Sequence, residues 1–97
     1  MNLAPAISLD SVARLSDHQL SCEVANEVVV LETARGQYYG LNAMAAFVWN
    51  ALKQPIKVSA VRDAILEEFE VAEEECERDL LTLLKDFQEN GLLTVDQ

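Results

Sequence analysis

Residues 27–42 read EVVVLETARGQYYGLN, and the fold turns on this stretch. Val28, Val29, Val30 and Leu31 form one β-branched, apolar run, and Tyr38, Tyr39 and Leu41 form a second. The pattern predicts strands over 27–33 and 37–41 around a turn at Ala34-Arg35-Gly36, with Gly36 supplying a positive φ. Asn42 then starts a helix, because its side chain can accept from the first free backbone N–H groups. The second strand closes a hairpin and hands over directly to helix, which makes one of its edges a candidate to stay unpaired. An unpaired edge can accept another strand.

Upstream, Leu20, Cys22 and Val24 alternate with Ser21 and Glu23. Alternation predicts a strand over 19–25, joined to the next by a tight turn at Ala25-Asn26. On this reading Cys22 is a small buried hydrophobe. Val12 to Leu15 has the makings of a short extended piece, and residues 1–10, with Pro5, are expected to fray.

Downstream, helical spacing recurs three times. Met44, Phe47, Val48, Ala51 and Leu52 predict a helix over 43–53, with Trp49 flanking the stripe and Pro55 ending it. Val58, Val61, Ile65 and Phe69 predict a second over 58–69, whose start lacks a strong cap: Lys57 stands where a hydroxyl would serve better, and Ser59 could move the cap. A third helix is predicted over 72–90. Glu73, Glu74 and Glu75 suit the positive end of its dipole. Cys76, Leu80, Leu83, Leu84 and Phe87 make its stripe, widened by Leu81, and Gly91 caps its end. Leu92, Leu93 and Val95 are read as a return to the core or a short strand. The sum is an α+β fold: a three-stranded antiparallel sheet followed by three α-helices, winged helix-turn-helix-like with the sheet placed first. Residues 1–17 are read as an N-terminal segment, partly disordered or a short strand, and 18–97 as one small domain.

Charge narrows the function. The chain has 17 acidic residues against 7 basic ones, a formal net charge of −10. Nine acidic residues fall between Asp63 and Asp79. Duplex binding and anionic membranes both call for Lys and Arg, which argues against nucleic acid and membrane as partners and leaves a winged-helix transcriptional regulator only as the less favoured alternative. The last helix, which would enter a DNA groove in a transcriptional regulator, begins EEECERD. An acidic face is either simply solvated or turned to a partner with positive patches. No signal peptide and no run of membrane-spanning length is visible, which sets a cytoplasmic protein as the default.

The residues of catalysis are not assembled. Cys22 and Cys76 show no metal-ligand spacing. His18 and Cys22 would stand about 13 Å apart along a strand, too far to act as a pair. Glu67, Glu70, Glu74 and Glu77 read as solvated charge. GQYYG has neither the glycines nor the Lys of a phosphate loop. The chain is read as no enzyme, without metal or cofactor.

Peptide binding remains. Leu80, Leu81, Leu83, Leu84 and Phe87 give the last helix more apolar surface than one stripe needs. The adjacent Tyr38 and Tyr39 must point to opposite faces of their strand. With strand 37–41 at the edge and the last helix alongside, an extended peptide could pair with the strand and rest side chains on the helix. The plainer reading is that Tyr38 shields the sheet and the leucines pack.

Gly36-Gln37-Tyr38-Tyr39-Gly40-Leu41-Asn42 resembles the G-x-Y-x-x-L-N signature of PqqD-like proteins. Trp49 with Leu52 resembles the W-x-x-L that follows it. Phe69-Glu70-Val71, Cys76-Glu77-Arg78-Asp79-Leu80 and Gly91-Leu92-Leu93 agree in order and spacing. The resemblance covers about residues 18–95. It implies a precursor-recognition element for ribosomally made, modified peptides. Such an element binds the leader of the precursor as a strand added to 37–41, in a groove against the last helix, and delivers it to a processing enzyme. Carried over, Gln37, Tyr38, Tyr39, Gly40 and Leu41 would form the pairing strand, with Gly40 admitting a bulky leader side chain. Asp79, Leu80, Leu83, Asp86 and Phe87 would line the helix side. The partner implied is a lasso-peptide leader peptidase, or alternatively a radical-based maturase of a peptide-derived quinone cofactor. Lys57 and Ala72 depart from better helix caps.

Overall fold

The computed structural model describes residues 6–17, 19–24, 27–34 and 36–96, the side chains at 20, 23 and 24 excepted. The expectations at Pro5, His18, Ala25-Asn26 and Arg35 lie outside the described residues, as do the faces taken by Leu20, Glu23 and Val24. In chain order the elements are β1 (Val12–Leu15), β2 (Gln19–Val24), β3 (Glu27–Glu32), β4 (Gln37–Leu41), α1 (Ala43–Ala51), β5 (Ile56–Lys57), α2 (Val58–Glu68), α3 (Glu73–Glu89) and β6 (Leu93–Asp96). The expected meander is one antiparallel sheet in the order β2-β3-β4. A second antiparallel sheet, β5-β1-β6, joins both ends of the chain to the start of α2. That sheet was not foreseen as a unit, although β1 and β6 fall on segments with strand character.

The register of the meander assigns its faces. Val28 and Val30 of β3 are buried and pair with Leu41 and Tyr39 of β4. Val29 and Leu31 turn to the opposite, outer face, opposite Gly40 and Tyr38. Cys22 pairs with Val29 and is exposed. The expected burial of Cys22 is therefore corrected. Side chains alternate with period two, so with Val28 and Val30 on the core side the Cys22–Val29 pair must face out.

At the β3–β4 turn, Gly36 has φ +69° and donates its N–H to the Glu32 carbonyl at 2.9 Å. The buried Glu32 carboxylate accepts from the Ala34 N–H. A carboxylate so placed satisfies a turn amide that the hairpin leaves without a ladder partner.

The helix ends follow the sequence, and the start of α2 is the informative one. Asn42 caps α1, accepting from the Ala45 N–H at 2.8 Å. Lys57 begins α2 without a side-chain cap. Its orphan donors are satisfied by backbone instead: Val58 donates to the Ser11 carbonyl and Ser59 to Leu9, both at 2.9 Å. The N-terminal segment is thus the cap that the local sequence lacks. α3 ends in a Schellman motif, with Gly91 at φ +75°, Leu92 N–H donating to Phe87 at 2.9 Å and Gly91 N–H to Gln88 at 3.1 Å.

The core lies where the helices meet the inner face of β2-β3-β4 and the second sheet. Trp49, Val48, Leu52, Val58, Val61 and Leu84 are fully buried within it. Trp49 does more than flank α1, since its ring meets Phe87 edge-on at 5.6 Å. Its indole N–H has no partner among the described residues. α2 and α3 are clamped by Arg62, whose guanidinium reaches Glu77 at 2.7 Å and Glu73 at 3.9 Å. The bonds to Glu77 and then Asp63 push the Arg62 pKa up, against some desolvation.

Candidate functional site

β4 is the edge of its sheet. It pairs with β3 over Val28–Glu32 and, among the described residues, carries no strand on its other side. The chain's own spare strands do not cover it: β1 and β6 pair with each other. A row of backbone N–H and C=O groups is therefore available along Gln37–Leu41.

α3 is tied to this edge at one point. The Tyr39 phenolic oxygen lies 3.0 Å from Asn90 Oδ1 and 2.7 Å from Gln37 Oε1. One phenolic proton serves one acceptor. The Asn90 amide is fixed, because its Nδ2 donates to the Asp86 carbonyl at 2.8 Å. Gln37 Oε1 and Asn90 Oδ1 are thus alternative acceptors for the Tyr39 proton, and the Asn90 contact is the one that crosses to α3. Tyr39 so reaches from the strand to the C-terminal end of α3.

Upward from Asn90, helical spacing places Asp86, Leu83 and Asp79 on the same face at steps of three and four. Asp79 and Asp86 are exposed and Leu83 is half-buried. Near the other end of the stripe is a small hollow of about 80 Å³, bordered by Met44, Val48, Ile65, Val71, Leu80 and Leu83, with Asp79 beside them. Met44 follows β4 by three residues, so hollow, stripe and strand edge are neighbours. The Asp79 carboxylate has an Arg78 partner at 3.6 Å, both well exposed, a pair worth at most about 1 kcal/mol.

The ten residues singled out from the sequence divide by environment. Gln37, Tyr38 and Gly40 are exposed on β4, and Tyr39 is half-buried facing α3. Tyr38 is 73 % exposed on the outer face, away from α3. Leu41, Leu80 and Phe87 are buried, so Leu41 can offer only its backbone and the other two support the helix from inside. Asp79, Leu83 and Asp86 are open to a neighbour. Asn90 and Met44 were missed. Met44 carried a signal, since it stands on the α1 stripe directly after the edge strand. Asn90 read only as a helix end.

Among the described residues, no group of three or more His, Cys, Asp or Glu is placed to hold a metal ion. No helix is long and apolar enough to cross a membrane. Burial pushes the Cys76 thiol pKa up, with Arg62 opposing, which leaves it a neutral core group.

The family of Coenzyme PQQ synthesis protein D (PqqD) matches residues 27–93. The chain belongs to the PqqD family. No curated protein matches it. Two solved structures are similar to this PqqD family member. One is TbiB1 in complex with the TbiA(beta) leader peptide, 31 % identical, covering 81 % of this chain and 93 % of that one, at a TM-score of 0.74. The other is a lasso peptide synthetase B1 complexed with the leader peptide, 27 % identical, covering 84 % and 95 %, at a TM-score of 0.75. The matched span runs from β3 to the first residue of β6 and so includes β4 and the whole of α3.

Proposed function

We propose that this chain is a recognition element for the leader of a ribosomally made precursor peptide. The leader adds as an antiparallel or parallel strand to β4 and lies against α3. Backbone pairing along Gln37–Leu41 supplies affinity, and the stripe Asp79, Leu83, Asp86 supplies side-chain selection. Leu80 and Phe87 hold that stripe in place from the core. The observation that carries the reading is the uncovered edge of β4 beside α3. Its support is the likeness to two structures solved with leader peptides bound.

The same reading assigns delivery. A bound leader raises the effective concentration of its core peptide at an enzyme that also holds the recognition element. The enzyme on this reading is a leader peptidase of lasso-peptide assembly, in the cytoplasm; the likeness to a lasso peptide synthetase B1 supports the lasso-peptide class. The family's own description favours a second reading, presentation to a maturase of a peptide-derived quinone. In both, the chain itself acts without catalysis on a winged-helix-like scaffold spanning 18–97, with Leu9, Ser11 and β1 bracing it.

Calorimetric titration of synthetic leaders from precursors encoded beside the gene tests the binding step. Binding that is lost when alternate leader amides are N-methylated is expected, since only every second amide of an added strand faces β4. No binding at high micromolar leader overturns the function. Binding insensitive to N-methylation overturns the strand-addition mode.

A further inference from the structure

An added strand presents side chains to two faces, and the outer one is prepared as well as the inner. Gly40 sits on the outer face of β4, directly opposite Val29. Neither conformation nor space requires a glycine there. The positive-φ glycines are Gly36 and Gly91 only, and a Cβ built on Gly40 meets nothing within 4 Å. Glycine is a poor strand residue, and in a strand it often marks close approach by another group. Beside it on the outer face, Cys22 and Tyr38 are exposed and Val29 and Leu31 half-buried. With Ser21 these four line a shallow hollow of about 300 Å³. The five residues lining that hollow carry no charge on a chain of net charge −10, and exposed Glu27, two residues before Val29, bounds the same face.

Resting on the leader-binding reading above, we propose that Gly40 opens a second subsite, which takes one large apolar or aromatic side chain of the added strand. The residue paired with Gly40 has no side chain directly opposite it on this face. It can lean across the glycine onto Val29, with the Tyr38 ring as its wall. A β-branched or long residue at 40 would fill that space. The strand thereby selects a leader by both faces: large and apolar outward, matched to the α3 stripe inward.

The test uses the full chain as bait for a displayed library of random 15-residue peptides. Wild type is expected to enrich peptides with alternating constraint and one large apolar position on the outward set. Gly40→Val is expected to enrich the same inward pattern, with the outward position reduced to small residues. A wild-type-selected peptide should bind Gly40→Val at least tenfold more weakly. Replacing its outward residue by Ala should erase most of that difference. Tyr38→Ala should weaken the same peptide by a smaller factor. Valine raises strand propensity and meets open space, so the variant's thermal midpoint should hold or rise, and a weakened scaffold cannot explain lost binding. Selected peptides that compete at β4 yet bind Gly40→Val as tightly as wild type overturn the subsite and leave leader binding standing. A library that yields no peptide sensitive to β4 overturns both.

Discussion

Tyr39→Phe removes one oxygen and tests how the strand is held to the helix. The phenol is the single side-chain hydrogen-bond link between β4 and α3 among the described residues, reaching Asn90 Oδ1 at 3.0 Å. A net contribution of about 1 kcal/mol is expected for one such bond. Asn90 is half-buried, so water can partly replace the lost donor, and the loss should not exceed about 1.5 kcal/mol. For a domain of this size, about 1 kcal/mol corresponds to a fall in thermal midpoint of roughly 4–8 °C. Asn90→Ala removes the same bond and also the amide's bond to the Asp86 carbonyl, so it should cost more. The two changes share an interaction, and their double-mutant cycle should show a coupling of about 0.5–1 kcal/mol in urea unfolding. If the tie also sets the spacing of strand and helix, leader affinity in the folded Tyr39→Phe protein should drop two- to fivefold. Coupling below about 0.3 kcal/mol would show that the hydroxyl and Asn90 act independently, within ordinary additivity. Coupling with unchanged affinity would leave the bond structural and remove it from the account of the groove.

Four further outcomes follow from burial and backbone geometry. Leu83→Ala, at the half-buried stripe, should cost well under 2 kcal/mol of stability yet weaken leader binding about tenfold; Leu84→Ala, fully buried, should cost about 2–5 kcal/mol while the folded fraction binds normally, both read by denaturant titration with binding in parallel. A thiol reagent should modify exposed Cys22 quickly in the native protein and Cys76 only on unfolding, as counted by mass spectrometry. The raised Cys76 pKa stabilises the fold fully below its ordinary value of 9.0, and that contribution is lost as pH climbs through the higher folded value, so unfolding free energy should decline above about pH 9 and do so less in Cys76→Ala. Gly91→Ala forces a side chain into the left-handed region at φ +75° and should lower stability by about 1–2 kcal/mol in the same unfolding assay.

What the sequence disclosed depended on the range over which its signals act. The strand pair around Gly36 and the cap at Asn42 were legible because turn and capping chemistry lie within a few residues. Helix α3 was legible through its Leu80, Leu84 and Phe87 period and its Schellman glycine. The start of α2 at Val58 was placed by its stripe, but its cap was not legible, because the capping acceptors are the Ser11 and Leu9 carbonyls, almost fifty residues away. Alternation in β2 placed Cys22 inward by composition alone. Pairing with Val29 places it outward, and pairing is a long-range fact. In the candidate site, the strand edge and Leu83 were readable, whereas Asn90 depends on where one phenol reaches across the fold.

The second sheet explains why an edge is left open at all. β6 follows α3 as a strand that needs a partner, and an open β4 edge would be a template for it. Instead β6 pairs with β1 over four residues, with Leu93 and Val95 buried by that choice. The Schellman turn fixes the direction in which the chain leaves α3, and Ser16 reinforces it, donating its N–H to the Leu92 carbonyl at 2.9 Å and its hydroxyl to Gly91 at 2.7 Å. β1 therefore holds β6 away from β4, while Ser11 and Leu9, just ahead of β1, cap α2. On the leader-binding reading proposed above, β1 would contribute to binding without touching a ligand, by engaging a strand that could otherwise compete for the edge. Deleting residues 6–15 should release β6 and cost leader affinity, and a deletion variant that stays folded with full affinity would refute this role for β1.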